Sequence, residues 1–166
     1  MLLGILGLIG AFVIVNVHRD SLPGGAQADR IVVYKGKRTL ELWKANVKLK
    51  QYKISLGRNP VGPKTTEGDG RTPEGRYSVD YRNPDSRFHR SLHITYPDSS
   101  ALRRAKELKV PPGGMIMIHG IRNGLGWIGN LHRLVDWTDG CIAVTNPEIE
   151  EIWQAVPDGT PIEIYP

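Results

Sequence analysis

The sequence predicts a mostly β domain with two short helices, built as a sandwich or a barrel. Three observations carry this. Apolar residues recur in short runs with a period of two, the spacing of strands with one face buried. Gly and Pro, 19 and 12 of 166 residues, punctuate those runs. Only two stretches show the helical period instead.

The elements follow in chain order. Residues 30–34 form a β-branched run, Lys35-Gly36-Lys37-Arg38 reads as a turn, and residues 39–43 alternate, which together make a hairpin. Residues 47–56 alternate but shift phase near Gln51, the mark of a bulge. Tyr77, Val79 and Tyr81 alternate with polar residues, as do Leu92, Ile94 and Tyr96. Residues 115–118 and 142–144 are short runs of the buried type, and Ile162 and Ile164 flank Glu163 in a closing strand. The first helix is expected from a Ser99 or Ser100 cap to Leu108, with Leu102 and Ala105 inward. The second starts at an Asn146 cap with Pro147 in the first helical position. It carries Ile149, Ile152, Trp153 and Val156 on one face and ends at Pro157.

Two segments read as loops. Residues 57–75 hold five glycines and three prolines, with neither a P-loop nor a dinucleotide fingerprint. Loops this long are uncommon unless functional, so this one is expected to border a cleft. Residues 120–136 carry Gly124, Gly126 and Gly129 for pliability and Trp127 as an apolar tip. They form a lid or a crossover.

Residues 2–17 are apolar, which is short for a spanning helix and suits a signal-peptide core. Pro23, Gly24 and Gly25 follow, then Ala26-Gln27-Ala28, an A-x-A cleavage pattern. Cleavage there leaves Asp29 as the new N-terminus. No Lys or Arg precedes the apolar run, so an uncleaved N-terminal membrane anchor stands as the alternative. The expected organisation is a leader or anchor over 1–28 and one catalytic domain over 29–166. The net charge is +5, which favours anionic partners. The basic residues are scattered and no basic-aromatic run or recognition motif is present, which argues against nucleic acid. An exported basic protein meets the anionic cell envelope.

One cysteine excludes an intrachain disulfide. A lone Cys is most often a small buried hydrophobe. Cys141 has other neighbours: Gly140 permits close approach, and Thr138 and Asp139 put polar groups beside the thiol. Upstream, Ile116-Met117-Ile118 ends in His119-Gly120. A Cys and a distant His, each at the end of a strand-like run, have the form of a thiol nucleophile and its base. The imidazole needs a partner on its second nitrogen: Asp139, Asp136 or a backbone carbonyl. The backbone amides of Gly140 and Cys141 are the expected oxyanion donors. Arg71 and Arg122 suit carboxylate capture, and His93 and Thr138 are further candidates for substrate contact. A rival reading places zinc on His89 and His93, four apart on one strand, with His119 or His132; no HExxH is present.

Ile118-His119-Gly120 with Thr138-Asp139-Gly140-Cys141-Ile142 resembles the YkuD-type L,D-transpeptidases, whose signature is a His-Gly followed by Ser/Thr-His-Gly-Cys-aliphatic-Arg/Asn. Asp139 stands where His is usual and Ala143 where Arg or Asn is usual. This Gly-Cys-Ile-Ala form is similar to a branch that includes hydrolases of peptidoglycan crosslinks. Supporting matches lie at residues 68–77 and 158–164, so the resemblance covers roughly residues 30 to 165. It implies a YkuD-like β fold and an exported, periplasmic or envelope enzyme acting on peptidoglycan stem peptides. The membrane is met only through the N-terminal segment, and neither cofactor nor metal takes part. The resemblance implies acyl transfer through a Cys141 thioester, with hydrolysis as the alternative outcome. A wall-binding module that has lost its chemistry is a third reading.

Overall fold

The computed structural model describes residues 21–166. Strands β1 (Arg30–Tyr34), β2 (Thr39–Lys44) and β3 (Val47–Lys53) form an antiparallel meander. β4 (Gly75–Asn83) and β5 (Ser91–Ile94) follow, then helix α1 (Ser99–Leu108) and β6 (Met117–His119). A 3-10 segment (Gly126–Leu134), β7 (Ile142–Ala143), helix α2 (Asn146–Ala155) and β8 (Pro161–Tyr165) complete the domain.

All eight strands share one sheet in the order β3-β2-β1-β8-β4-β5-β6-β7. The sheet curls until its edges meet. Just past β3, Ser55 N–H donates to Ala143 O and Ala143 N–H donates to Ser55 O, each at 2.9 Å. The seam continues as Thr138 N–H donates to Leu56 O and Arg58 N–H to Thr138 O. Of the two architectures expected, the closed one is present, and closure leaves few unpaired edge groups. Ile31, Leu40, Leu92, Ile118 and Ile142 are fully buried within the curl, and Ile149 and Ile152 of α2 join them.

Several local features differ from the sequence reading. The bulge lies at Leu49, between Lys48 and Lys50, which pair with Trp43 and Leu42. The β2–β3 turn is made by Ala45 and Asn46, both at positive φ (45° and 67°), the twist that two-residue hairpin turns require. Asp98 caps α1, its carboxylate accepting from Ala101 N–H at 2.8 Å, so Ser99 is already helical. Ala101 and Ala105 are the buried pair there, whereas Leu102 is exposed because it lies about 100° around the helix from Ala101. Thr145 rather than Asn146 caps α2: Thr145 N–H donates to the Glu148 carboxylate at 2.9 Å. That places Pro147 second in the helix and frees the Asn146 side chain, which accepts from Ile121 N–H at 2.8 Å. His89 lies outside β5 in the left-handed region (φ 69°), so it shares no strand face with His93.

Residues 1–20, with the apolar run, lie outside the described residues. No described helix is long and apolar enough to cross a membrane. Residues 22–28 pack along α2: Leu22 N–H donates to Glu151, Gln27 reaches Gln154 O, and Ala28, 2% exposed, donates to Ala155 O at 2.7 Å.

Candidate active site

β6 and β7 run parallel, with Ile118 opposite Ile142 and His119 opposite Ala143. Cys141 immediately precedes β7. Thiol and imidazole therefore hang from neighbouring strands about 5 Å apart, and both line one cleft of about 700 Å³.

His119 is 2% exposed. Its Nδ1 lies 2.6 Å from Gly120 O. A carbonyl only accepts, so Nδ1 carries the proton and Nε2 keeps its lone pair. The orienting partner is thus the backbone carbonyl among the three options. Asp139 is 82% exposed and pairs with Arg58 at 2.5 Å, and Asp136 pairs with Arg38 and accepts from Leu56 N–H. Neither carboxylate touches the imidazole, which corrects the catalytic assignment of Asp139. Burial holds the His119 pKa down to about 4, against the weaker opposing pull of the Gly120 bond. The ring is fixed by Phe88, with centroids 4.5 Å apart, and by Trp137, edge-on at 5.7 Å.

Cys141 Sγ accepts from Met117 N–H at 3.4 Å and donates to Met115 O at 3.6 Å. Burial pushes the thiol pKa up; the Met117 bond pulls it back and the Asp139 charge adds to the rise. With the thiol raised and the imidazole lowered, the resting pair is neutral thiol and neutral imidazole.

The turn before Cys141 is locked. Gly140 has φ +132°, and a Cβ there would lie 2.7 Å from Arg71 O. A Cβ on Gly57 would lie 2.1 Å from Gly70 O. Residues 57–71 therefore pack backbone to backbone behind the nucleophile and reach the cleft only through Arg58. Lys35, buried, fastens this loop by donating to Gly62 O, Thr72 O and Glu74. Thr138 is buried, its hydroxyl donating to Cys141 O at 2.7 Å and accepting from Gly140 N–H at 3.2 Å. It braces the turn, lines the cleft beside Cys141 and occupies the Gly140 amide.

The 120–136 loop lines the cleft with Leu125, Ile128, Leu131, His132 and Val135. Gly126 is there for close approach and not pliability, since a Cβ would meet the Asn146 side chain at 2.5 Å. Arg122 lines the cleft, but Arg71 and His93 do not. The Arg71 guanidinium turns to Pro63 O, and His93 pairs with Asp80 at 2.6 Å under Tyr81. His89 pairs with Glu150, and His132 lies against Ser55 and Trp137. Among the described residues no group of three or more His, Cys, Asp or Glu is placed to hold a metal. Sequence reasoning missed Arg87, Phe88 and Trp137, all of which line the site. Trp137, four residues before Cys141, carried the one usable signal.

A closed β domain with a strand-end His and Cys sharing one cleft is the YkuD arrangement, and the comparisons agree. Residues 28–164 match the YkuD family, the L,D-transpeptidase catalytic domain. The chain belongs to that family. It is 33% identical over 132 residues to a protein of Escherichia coli K12 named as an L,D-transpeptidase, YafK, spanning 76% of this chain and 46% of the relative. Among solved structures it is similar to Bd1075 of Bdellovibrio bacteriovorus (25% identity, TM-score 0.59, 87% of this chain and 50% of that one). The helical cell shape determining protein Pgp2 of Campylobacter jejuni shares the fold (24% identity, TM-score 0.64, 92% of this chain and 53% of that one). The chain spans about half the length of these relatives.

Proposed function

We propose that this domain is an exported cysteine enzyme of peptidoglycan that forms a thioester between Cys141 and a stem peptide. The observation that carries the reading is the tautomer of His119. Its Nδ1 proton is spent on Gly120 O, so the unprotonated Nε2 belongs to a ring lining the same cleft as the thiol. Nε2 takes the thiol proton as Sγ attacks the scissile amide carbon. The developing oxyanion is met by the Cys141 amide, because the Gly140 amide is committed to Thr138. Collapse breaks the C–N bond, and the amine leaves with the proton held on His119. An incoming amine then displaces Cys141 in transfer, or water does so in hydrolysis.

One observation favours water as the second reading. Ala143, where the family commonly carries Arg or Asn, is fully buried and spent on the barrel seam. No side chain at that position can orient an acceptor. The test is intact-mass analysis with a strained lactam or a stem peptide as donor. Wild type gains one acyl mass; Cys141→Ala gains none while keeping its fold, and His119→Ala acylates orders of magnitude more slowly. Offering amines to the acyl-enzyme separates adducts (transfer) from free acid (hydrolysis). Sacculus binding without any acylation overturns the enzyme in favour of a wall-binding module.

Export is part of the proposal. The packing of residues 22–28 on α2 supports a retained anchor over cleavage after Ala28, since cleavage would strip the Leu22, Gln27 and Ala28 contacts from the folded domain. N-terminal sequencing of the native protein distinguishes the two, and an intact chain found in the cytosol defeats both.

A further inference from the structure

We infer that Arg87 and Arg122 form a carboxylate-reading pair beside His119, and that the enzyme therefore takes stem peptides with a free carboxylate in preference to amidated ones. The inference rests on the peptidoglycan reading and adds a substrate class to it.

Both residues line the cleft and are exposed. Neither has a hydrogen-bond or ion-pair partner among the described residues. Neighbouring arginines are neutralised: Arg58 pairs with Asp139, and Arg133 pairs with Glu148. Asp139, the one carboxylate lining the cleft, is thereby spent. The His119 side of the cleft carries two uncompensated positive charges.

The two arginines also sit on a built support. They belong to different loops, which Asn123 clamps together. Asn123 N–H donates to Arg87 O at 2.9 Å, its Nδ2 donates to Ser86 O at 3.1 Å, and its Oδ1 accepts from His89 N–H at 2.9 Å. Gly120 N–H donates to Phe88 O at 3.1 Å, joining the same loops beside the catalytic ring. Arg87 and Arg122 are thus held one and three residues from Phe88 and His119. Two guanidinium forks on a fixed frame suit a planar carboxylate, which accepts paired charge-assisted bonds; a carboxamide offers one acceptor oxygen and no charge. The loop that carries Arg122 also lines the cleft with the apolar side chains Leu125, Ile128 and Leu131, a surface for the aliphatic part of such a chain.

The experiment uses two stem peptides identical except for carboxylate against carboxamide on the diamino acid, with acyl-enzyme formation followed by mass. Wild type is expected to acylate on the carboxylate form roughly ten- to a hundredfold faster, with the gap narrowing at high salt. Arg87→Gln with Arg122→Gln takes both peptides at one rate. Equal rates in wild type, or a preference that survives the double variant, overturns the inference. A second readout needs no peptide chemistry: alkylation of Cys141 by iodoacetate and by iodoacetamide. Wild type should favour the anionic reagent relative to a free thiol, and the double variant should not. If neither peptide acylates, the peptidoglycan reading fails while this alkylation ratio still decides whether the pair attracts carboxylates. A ratio equal to that of a free thiol counts against it.

Discussion

Mild acid should destabilise this domain through two buried imidazoles. His119 and His132 are 2% and 4% exposed, and burial holds each pKa at about 4 against an ordinary 6.5. Because the folded value lies below the unfolded one, the unfolded chain binds protons first as pH falls. The stability each neutral ring contributes is present above pH 6.5 and is lost as pH drops towards 4. Integrating the linkage from pH 7.5 to pH 5 gives a loss of about 2 kcal/mol per ring. That is a large fraction of the ~5–15 kcal/mol that holds a typical domain folded. The carboxylates held low, Asp69, Asp98 and Glu151, act mainly below pH 4.5, so the window from 6.5 to 5 isolates the rings. Urea unfolding read by tryptophan fluorescence at pH 7.5, 6 and 5 measures the effect. His132→Asn removes one ring from the titration while leaving the nucleophile and base in place. The variant is expected to be less stable than wild type at pH 7.5, with the gap shrinking by about 2 kcal/mol at pH 5. A gap that stays constant with pH would refute the argument that burial of His132 drives the loss.

Two further outcomes follow from the site. Iodoacetamide alkylation of Cys141 should rise with pH as a single step above the ordinary thiol range, with no reactive plateau at acid pH; such a plateau would show a thiolate–imidazolium pair instead of the neutral pair described. Gly140→Ala should cost about 1–3 kcal/mol from backbone strain alone, plus the clash with Arg71 O, and should slow acylation by misplacing the Cys141 amide. Unchanged stability and rate in that variant would show that the turn relaxes freely.

The strands were legible because one face of each is buried, which writes a period of two into residues such as Tyr77, Val79 and Leu92. The catalytic pair was legible because His119 and Cys141 each end an apolar run. Cap positions slipped by one because Asp98 stands beside two serines and Thr145 beside an asparagine, all good capping residues. The β2–β3 turn left little trace, since Ala45 and Asn46 do not form the usual Asn-Gly or Asp-Gly pair. The orienting group of His119 is a backbone carbonyl, which no side chain announces. Arg87 and Phe88 reach the site from a loop before β5, and only the register of β5 on β6 brings that loop to His119.

The place of β8 in the sheet has a consequence for how the protein is made. β8 pairs with β1 on one side, in parallel, and with β4 on the other. Without residues 161–165 the sheet falls into a three-stranded meander and a four-stranded remainder, joined only at the seam of residues 55–58 with Thr138 and Ala143. Neither can finish burying its apolar face until the C-terminal strand slides between them. Assembly therefore waits for β8, and its long-range pairings make it slow compared with helical domains of this size. The topology that builds the cleft also keeps it unformed until β8 is in place.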